Sequence, residues 1–214
     1  MIDIRSIATR THGRILVQPG TGDGLILGFH GYYESAEVQM ARLRDIPGSD
    51  AWTLVSVQGL HRFYRGRSHD VVASWMTRQD RELAIADNIA YVDAVVAGVK
   101  SESWAGAVVC VGFSQGAAMA FRAAARARVP AAGIVAVGAD VPPDVRDDAH
   151  VRLPPVLLIR GSRDEFYTQA MFEADAAALT ARGGDVNAVT IDAPHDWTAD
   201  VARDAGYFIR RFRS

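Results

Sequence analysis

The sequence predicts an α/β protein with a mostly parallel central sheet and helices on both faces. Short apolar runs bounded by Gly or Pro alternate along the chain with longer segments of helical period. Within the runs, successive positions are apolar, which is typical of strands buried on both faces of a sheet. Since strands that alternate with helices become parallel neighbours, an open and mostly parallel sheet is expected.

Six apolar runs are the strand candidates of this sheet. Before them, the N-terminal segment 2–18 alternates in polarity around Thr11-His12-Gly13, which predicts a hairpin of two strands. The single cysteine, Cys110, lies inside the third run and is interpreted as a small core residue. In chain order the six runs cover residues 25–29, 52–57, 107–113, 133–138, 156–159 and 186–191.

Four helix candidates separate or follow the later runs. Residues 79–99 carry apolar side chains at helical spacing, and residues 115–128 are rich in alanine, a strong helix former. Residues 165–182 are followed by Gly183-Gly184, a typical C-terminal stop, and the last candidate covers residues 197–212. In folds of this class, ligands bind at the carboxyl ends of the strands, so catalytic residues are sought there.

Length and composition favour one domain, residues 1–214, and exclude several classes of protein. The 23 basic and 25 acidic residues give a net charge of −2, so a nucleic-acid partner is not expected. No apolar stretch of about 18 residues is present, so no membrane span is expected. The N-terminus lacks a secretory signal pattern and a lone cysteine excludes an intrachain disulfide, so a cytoplasmic location is predicted.

Gly112-Phe113-Ser114-Gln115-Gly116 matches the G-x-S-x-G pattern of a serine nucleophile. It follows an apolar strand candidate and opens the alanine-rich helix candidate, which is the context that this pattern requires. The glycines allow the strand, the turn and the helix to approach one another closely, and the hydroxyl then projects at the helix N-terminus. The alternative is a tight structural turn with a capping serine.

A serine nucleophile needs a base, and the base needs an orienting acid, in the chain order Ser, acid, His. His195 follows the last strand candidate and is the predicted base; the alternative is a capping or surface loop histidine. Asp164 follows the run that ends near Ile159 and is the favoured acid, which does not exclude a helix-capping role. Asp140 is the main competitor, and the remaining candidate acids are Glu165 and Asp196.

An H-G-x turn follows the first central strand candidate, in His30-Gly31-Tyr32. Such a turn supplies one backbone N–H of an oxyanion hole, and the residue after the nucleophile supplies the second. The predicted donors are therefore the N–H groups of Tyr32 and Gln115. For His30 two roles stay open: support of this turn by hydrogen bonding, or a simple buried core position.

These motifs together resemble the phospholipase/carboxylesterase family of α/β-hydrolases, which includes the acyl-protein thioesterases. The resemblance implies an α/β-hydrolase fold without a separate lid domain and a serine esterase with the triad Ser114, Asp164 and His195. Two departures are Tyr33, where the family often has a second glycine, and Arg160, where it usually has a histidine. The matching segments are His30-Gly31-Tyr32, Val57-Gln58-Gly59, Ser74-Trp75, Gly112-Phe113-Ser114-Gln115-Gly116, Gly161-Ser162-Arg163-Asp164 and Pro194-His195.

The substrate-binding candidates are aromatic and Met side chains. The family's tryptophan–phenylalanine acyl-binding pair corresponds here to Trp75-Met76, within an arginine-rich stretch, residues 59–78, that also contains Phe63. This stretch is predicted to form an acyl or leaving-group wall, and an arginine in it would bind an anionic group. The alternative is a partly solvated loop with paired arginines. Tyr33 is the fourth candidate, since its bulk would narrow the acyl site.

The predicted function is hydrolysis of small to medium carboxylic esters through an acyl-enzyme, with activity that rises as His195 deprotonates. Alternatives are a thioesterase, a hydrolase of lactones or aromatic esters, and a non-catalytic protein that only binds a ligand in the same pocket. The expected partner is a small-molecule ester. Neither a metal nor an organic cofactor is required, and a homo-oligomer is compatible with the sequence.

Overall fold

Seven strands form the central sheet of the protein, whose computed structural model describes residues 1–99, 106–128 and 130–213. The sheet order is β1-β3-β2-β6-β7-β8-β9, and β4 and β5 pair as a separate antiparallel hairpin. Every pair in the sheet is parallel except β1 with β3. The strands are β1 (Ile15–Gln18), β2 (Gly24–Phe29), β3 (Trp52–Val57), β4 (His61–Tyr64), β5 (Val71–Ser74), β6 (Val108–Phe113), β7 (Gly133–Val137), β8 (Val156–Gly161) and β9 (Val186–Ile191).

Helices cover both faces of the sheet because its strands carry apolar side chains on both sides. On one face, Ile26 and Val111 belong to a core that includes residues of α1 and α6; on the other, Leu27 and Cys110 pack with residues of α2, α3 and α5. The helices are α1 (Ala36–Asp45), α2 (Arg81–Val99), α3 (Gln115–Arg126), α4 (Pro143–Arg146), α5 (Gln169–Ala181) and α6 (Ala199–Ile209), with short 3-10 turns at Ser49–Ala51 and Arg210–Phe212.

The predicted α/β architecture is confirmed, and helix ends follow local capping. Thr168 caps α5, because its side chain accepts a hydrogen bond from the Met171 N–H. This helix therefore begins four residues later than predicted, which leaves the preceding segment free as a loop. At its other end Gly183 has a φ of +77°, and the Gly184 N–H donates to the Leu179 carbonyl, as the predicted glycine stop requires.

The predicted hairpin over residues 2–18 is wrong. Residues 1–14 contain no strand, and only β1 forms, pairing with β3 instead of with a neighbour in sequence. Ile2, Ile4 and Ile7 are exposed, so the alternation there corresponds to no buried face. Helix α1 and the β4–β5 hairpin were not predicted.

None of the helices in the described ranges combines the length and apolar character that a membrane crossing requires.

Candidate active site

Ser114 lies on the tight turn between β6 and α3, with a φ of +52° and a ψ of −125°. A positive φ is strained for a residue with a Cβ, and such strain is found preferentially at functional sites. The turn is held by the Ser114 N–H, which donates to the Val137 carbonyl at 2.8 Å. Close packing requires both flanking glycines: a Cβ on Gly112 would lie 2.2 Å from the Gly116 carbonyl oxygen, and one on Gly116 would lie 2.0 Å from the Phe29 carbonyl oxygen.

Half-buried His195 is hydrogen-bonded to buried Asp164, with His195 Nδ1 2.7 Å from Asp164 Oδ2. The other carboxylate oxygen, Oδ1, accepts hydrogen bonds from the backbone N–H groups of Phe166 and Tyr167, both at 2.9 Å. The Asp164 side chain is only 1% exposed. A carboxylate in this position accepts a hydrogen bond from the N–H at Nδ1 of His195. We therefore assign the tautomer of His195 that carries its proton on Nδ1, with Nε2 free to accept a second proton.

The catalytic candidates lie in one region because parallel strands end at the same edge of the sheet. Ser114 follows β6, Asp164 follows β8 and His195 follows β9, so the three share the carboxyl edge where ligands bind in this fold class. Gly161 allows the last two loops to touch, since a Cβ there would lie 2.3 Å from the Pro194 carbonyl oxygen. Ser114 and His195 line one cavity of about 470 Å³.

Gly138, directly after β7, leaves space for the His195–Asp164 pair. Its φ is +67°, and a Cβ at this position would lie 3.1 Å from His195 Cε1 and 3.4 Å from Asp164 Oδ2. The arrangement of His195 and Asp164 therefore depends on glycine at position 138. The sequence alone does not indicate this role for Gly138.

The substitution Gly138→Ala should lower the rate of any reaction that depends on His195 about 10-fold or more, because the imidazole must move by a few tenths of an ångström. The left-handed backbone should also cost about 1–2 kcal/mol of unfolding free energy. Gly183→Ala is the matched control, since Gly183 has a φ of +77° and no atom within 4 Å of its hypothetical Cβ. Kinetics and urea denaturation of both variants measure the two effects. Equal activity losses in the two would contradict this account.

The turn after β2 carries Tyr32, the first predicted oxyanion donor. On either side of it, the Gly31 N–H donates to Glu34 Oε2 at 2.7 Å and the Tyr33 N–H donates to the Ala73 carbonyl at 3.1 Å. The start of α3, with Gln115, packs directly against this turn through Gly116. In the described parts of the chain, no protein acceptor takes the N–H of Tyr32 or of Gln115.

His30 is fully buried beneath this turn and has a structural role. Its Nδ1 donates to the Gly31 carbonyl at 2.7 Å, and its Nε2 accepts from the Gly59 N–H at 2.9 Å. The Trp75 indole N–H donates to the His30 carbonyl at 2.7 Å. Burial lowers the pKa of His30, which keeps the ring neutral, as these two bonds require. Both roles left open by the sequence, turn support and a core position, therefore apply.

Glu34 and Arg42 also stabilise the turn after β2. The sequence did not indicate a role for either residue. Arg42 binds both Glu34 carboxylate oxygens, at 2.5 and 2.7 Å, and its guanidinium lies 4.2 Å from the centre of the Phe113 ring. This contact joins the turn to the residue that precedes Ser114. Arg42 lies on α1, and because that helix was not predicted, nothing in the sequence placed Arg42 near the site.

The four substrate-binding candidates lie at different depths. Met76 lines the cavity, whereas Trp75 does not line it and is fully buried. The backbone N–H of Trp75 donates to Gln115 Oε1 at 2.9 Å. Tyr33 and Phe63 lie farther out, with ring centres 6.0 Å apart. Tyr33 has a φ of +66°, a conformation that glycine adopts more readily.

The remainder of the cavity wall mixes apolar and charged side chains. In the described residues, no cluster of three or more His, Cys, Asp or Glu side chains is suited to a metal ion. Besides Tyr32, Met76, Ser114, Gln115 and His195, the lining residues are Arg81, Ala118, Arg122, Gly138, Ala139, Asp140, Phe166, Tyr167 and Met171.

Comparison with known proteins identifies the family and the fold. Residues 67–212 match the model of the phospholipase/carboxylesterase family. No curated protein matches the chain by sequence. Among solved structures, that of esterase PE8 is 23% identical, with a TM-score of 0.72 over 94% of this chain and 100% of that one.

Two further structures have the same fold at lower identity. Acyl-protein thioesterase 2 of Zea mays is 16% identical, with a TM-score of 0.72 over 94% of this chain and 99% of its own. The carboxylesterase of Bacillus cereus is also 16% identical, with a TM-score of 0.71 over 93% of this chain and 94% of its own. At these identities the similarity establishes the α/β-hydrolase fold.

Proposed function

The chain belongs to the phospholipase/carboxylesterase family, and from this premise we propose that it is a serine carboxylesterase with Ser114, Asp164 and His195 as its catalytic triad. The observation that carries the proposal is the 2.7 Å bond between His195 and the buried Asp164, in a cavity shared with the strained Ser114. A nucleophile, a base and an orienting acid at one sheet edge are the parts that acyl transfer requires.

In the proposed mechanism, the Ser114 hydroxyl oxygen attacks the ester carbonyl carbon while His195 Nε2 takes the hydroxyl proton. Asp164 holds the imidazole and stabilises its positive charge. The backbone N–H groups of Tyr32 and Gln115 donate to the oxyanion of the tetrahedral intermediate. His195 then gives its proton to the leaving alcohol, and a water molecule hydrolyses the acyl-enzyme by the same steps.

The proposed substrates are small to medium esters. A volume of about 470 Å³ is within the usual range of small-molecule sites. We propose that Met76 contacts the substrate directly and that Trp75 supports this wall from behind. Tyr33 and Phe63 have exposed rings that lie next to each other outside the cavity, so they would contact only the longer substrates.

Thioester hydrolysis is the second candidate within the same chemistry, favoured by the fold shared with a protein named as an acyl-protein thioesterase. Lactones and aromatic esters would use the same nucleophile. The rival from another class is a protein that binds a ligand in this cavity without turning it over.

Turnover of p-nitrophenyl acetate, butyrate and octanoate, beside the matching thioesters, tests the proposal. We expect hydrolysis of the shorter esters, with kcat/KM rising from acid pH as His195 loses its proton. A rate that stayed flat from pH 5 to pH 9 would contradict a histidine base. Binding without turnover would favour the non-catalytic rival, and faster thioester hydrolysis would favour the thioesterase.

A further inference from the structure

Arg160 is a buried arginine at the carboxyl end of β8, four residues before Asp164. It pairs with Thr190 of β9 and is only 6% exposed. Burying a guanidinium is costly unless its donors and its charge are both compensated. Arg160 also stands where the family's motif usually has a histidine, so the residue calls for an explanation in this chain.

The guanidinium of Arg160 spans the segment between β8 and α5, residues 162–168, which we call the acid loop. Its Nε donates to the Tyr167 carbonyl at 2.7 Å, near the end of the loop. Its Nη2 contacts the carbonyls of Ser162 and Asp164 at 3.3 and 3.4 Å, at the start and in the middle. Its Nη1 donates to Gln169 Oε1 at 2.9 Å, on the first residue of α5. One side chain therefore joins both ends of the loop.

The charge of Arg160 is not neutralised by an adjacent carboxylate. Within the described ranges, no Asp or Glu oxygen lies within ion-pair distance of it, and its acceptors are carbonyl and amide oxygens. The buried anion of the same loop is Asp164, whose backbone carbonyl Arg160 already contacts. The contacts of Arg160 therefore act on the backbone that carries Asp164, which is also the residue bonded to His195.

We propose that Arg160 is a positioning residue for the catalytic acid. Its hydrogen bonds hold the acid loop in the conformation that directs Asp164 Oδ2 to His195. This inference rests on the proposed esterase function, since it assigns a residue that acts through the proposed triad.

The substitution Arg160→Met should lower kcat for p-nitrophenyl acetate about 100-fold, because a small displacement of a triad member is enough for such a loss. KM should change less than about 3-fold, since Arg160 does not line the cavity. Arg160→Lys keeps the charge but not the planar fork, so we expect about a 10-fold loss. Arg163→Met is the control, because Arg163 lies in the same loop with an exposed side chain.

A double-mutant cycle with Asp164→Asn distinguishes an effect of Arg160 that acts through Asp164 from a general loss of protein stability. If Arg160 acts through Asp164, adding Arg160→Met to the Asp164→Asn enzyme should cost less than about 3-fold further in kcat. An equal loss in both backgrounds would overturn the proposal, as would Arg160→Met with wild-type kcat. If Arg160→Met does not fold, Arg160→Lys decides, and a Lys enzyme with wild-type kcat overturns it. A wild type that hydrolyses no ester refutes the proposed function itself.

Discussion

Replacing Ser114 by alanine should abolish ester hydrolysis, with a loss in kcat of about 10⁵-fold or more. The side-chain oxygen is the only heavy atom removed, and in the proposed mechanism this oxygen forms the covalent bond to the substrate. The fold should be kept, because the turn is held by backbone hydrogen bonds from Ser114 to Val137 and from Ala117 to Ser114. Initial rates with p-nitrophenyl acetate, together with Tm and circular dichroism, measure both expectations.

The matched control for this variant is Ser162→Ala, which removes an exposed serine hydroxyl from the acid loop. It should retain wild-type activity within about 2-fold, as expected for a surface substitution. If Ser114→Ala hydrolysed esters at the wild-type rate, another residue would have to be the nucleophile and the triad assignment would fail.

The second large effect is expected from Asp164→Asn, which should lower kcat about 10⁴-fold with the fold intact. The N–H groups of Phe166 and Tyr167 both donate to Asp164 Oδ1, so the asparagine must place its oxygen there. Its NH₂ group then faces His195 and donates to Nδ1. The proton of a neutral His195 is forced onto Nε2, which can no longer accept the proton of Ser114.

Asp140→Asn is the control for this prediction, because Asp140 is the competing acid from the sequence and also lines the cavity. Its loss should be less than about 10-fold, since His195 is bonded to Asp164. A reversal, in which Asp140→Asn inactivates the enzyme and Asp164→Asn does not, would transfer the acid role to Asp140. The pH dependence of kcat/KM for both variants shows whether the base has changed its protonation behaviour.

Most of the sheet and the helices α2, α3, α5 and α6 were predictable because their signals are local. The runs at residues 52–57 and 186–191 became β3 and β9 with the predicted ends. Both strands consist mostly of apolar residues, which the sequence displays directly, although only β3 is buried along nearly its whole length and β9, at the sheet edge, is mostly exposed or half-buried. Knowing that parallel strands end at one edge was then enough to bring Ser114, Asp164 and His195 to one place.

What was not predictable depends on contacts between distant segments. All four residues of β4 are exposed whereas three of the four residues of β5 are buried, and the hydrogen bond from Tyr33 to Ala73, which ties the hairpin to the turn after β2, has no signal in the sequence. Arg42 joins that turn to Phe113 from α1, although the two residues lie 71 positions apart in sequence. The spacing role of Gly138 depends on a positive φ and on His195, which is far away in sequence.

The most direct test of the central claim is covalent labelling of the wild-type protein with a fluorophosphonate, followed by intact mass and peptide mapping. We expect one equivalent of adduct, located on Ser114, and no adduct on the folded Ser114→Ala variant. Absence of any adduct on the folded wild type, or an adduct on another residue, would contradict the claim that Ser114 is an activated nucleophile.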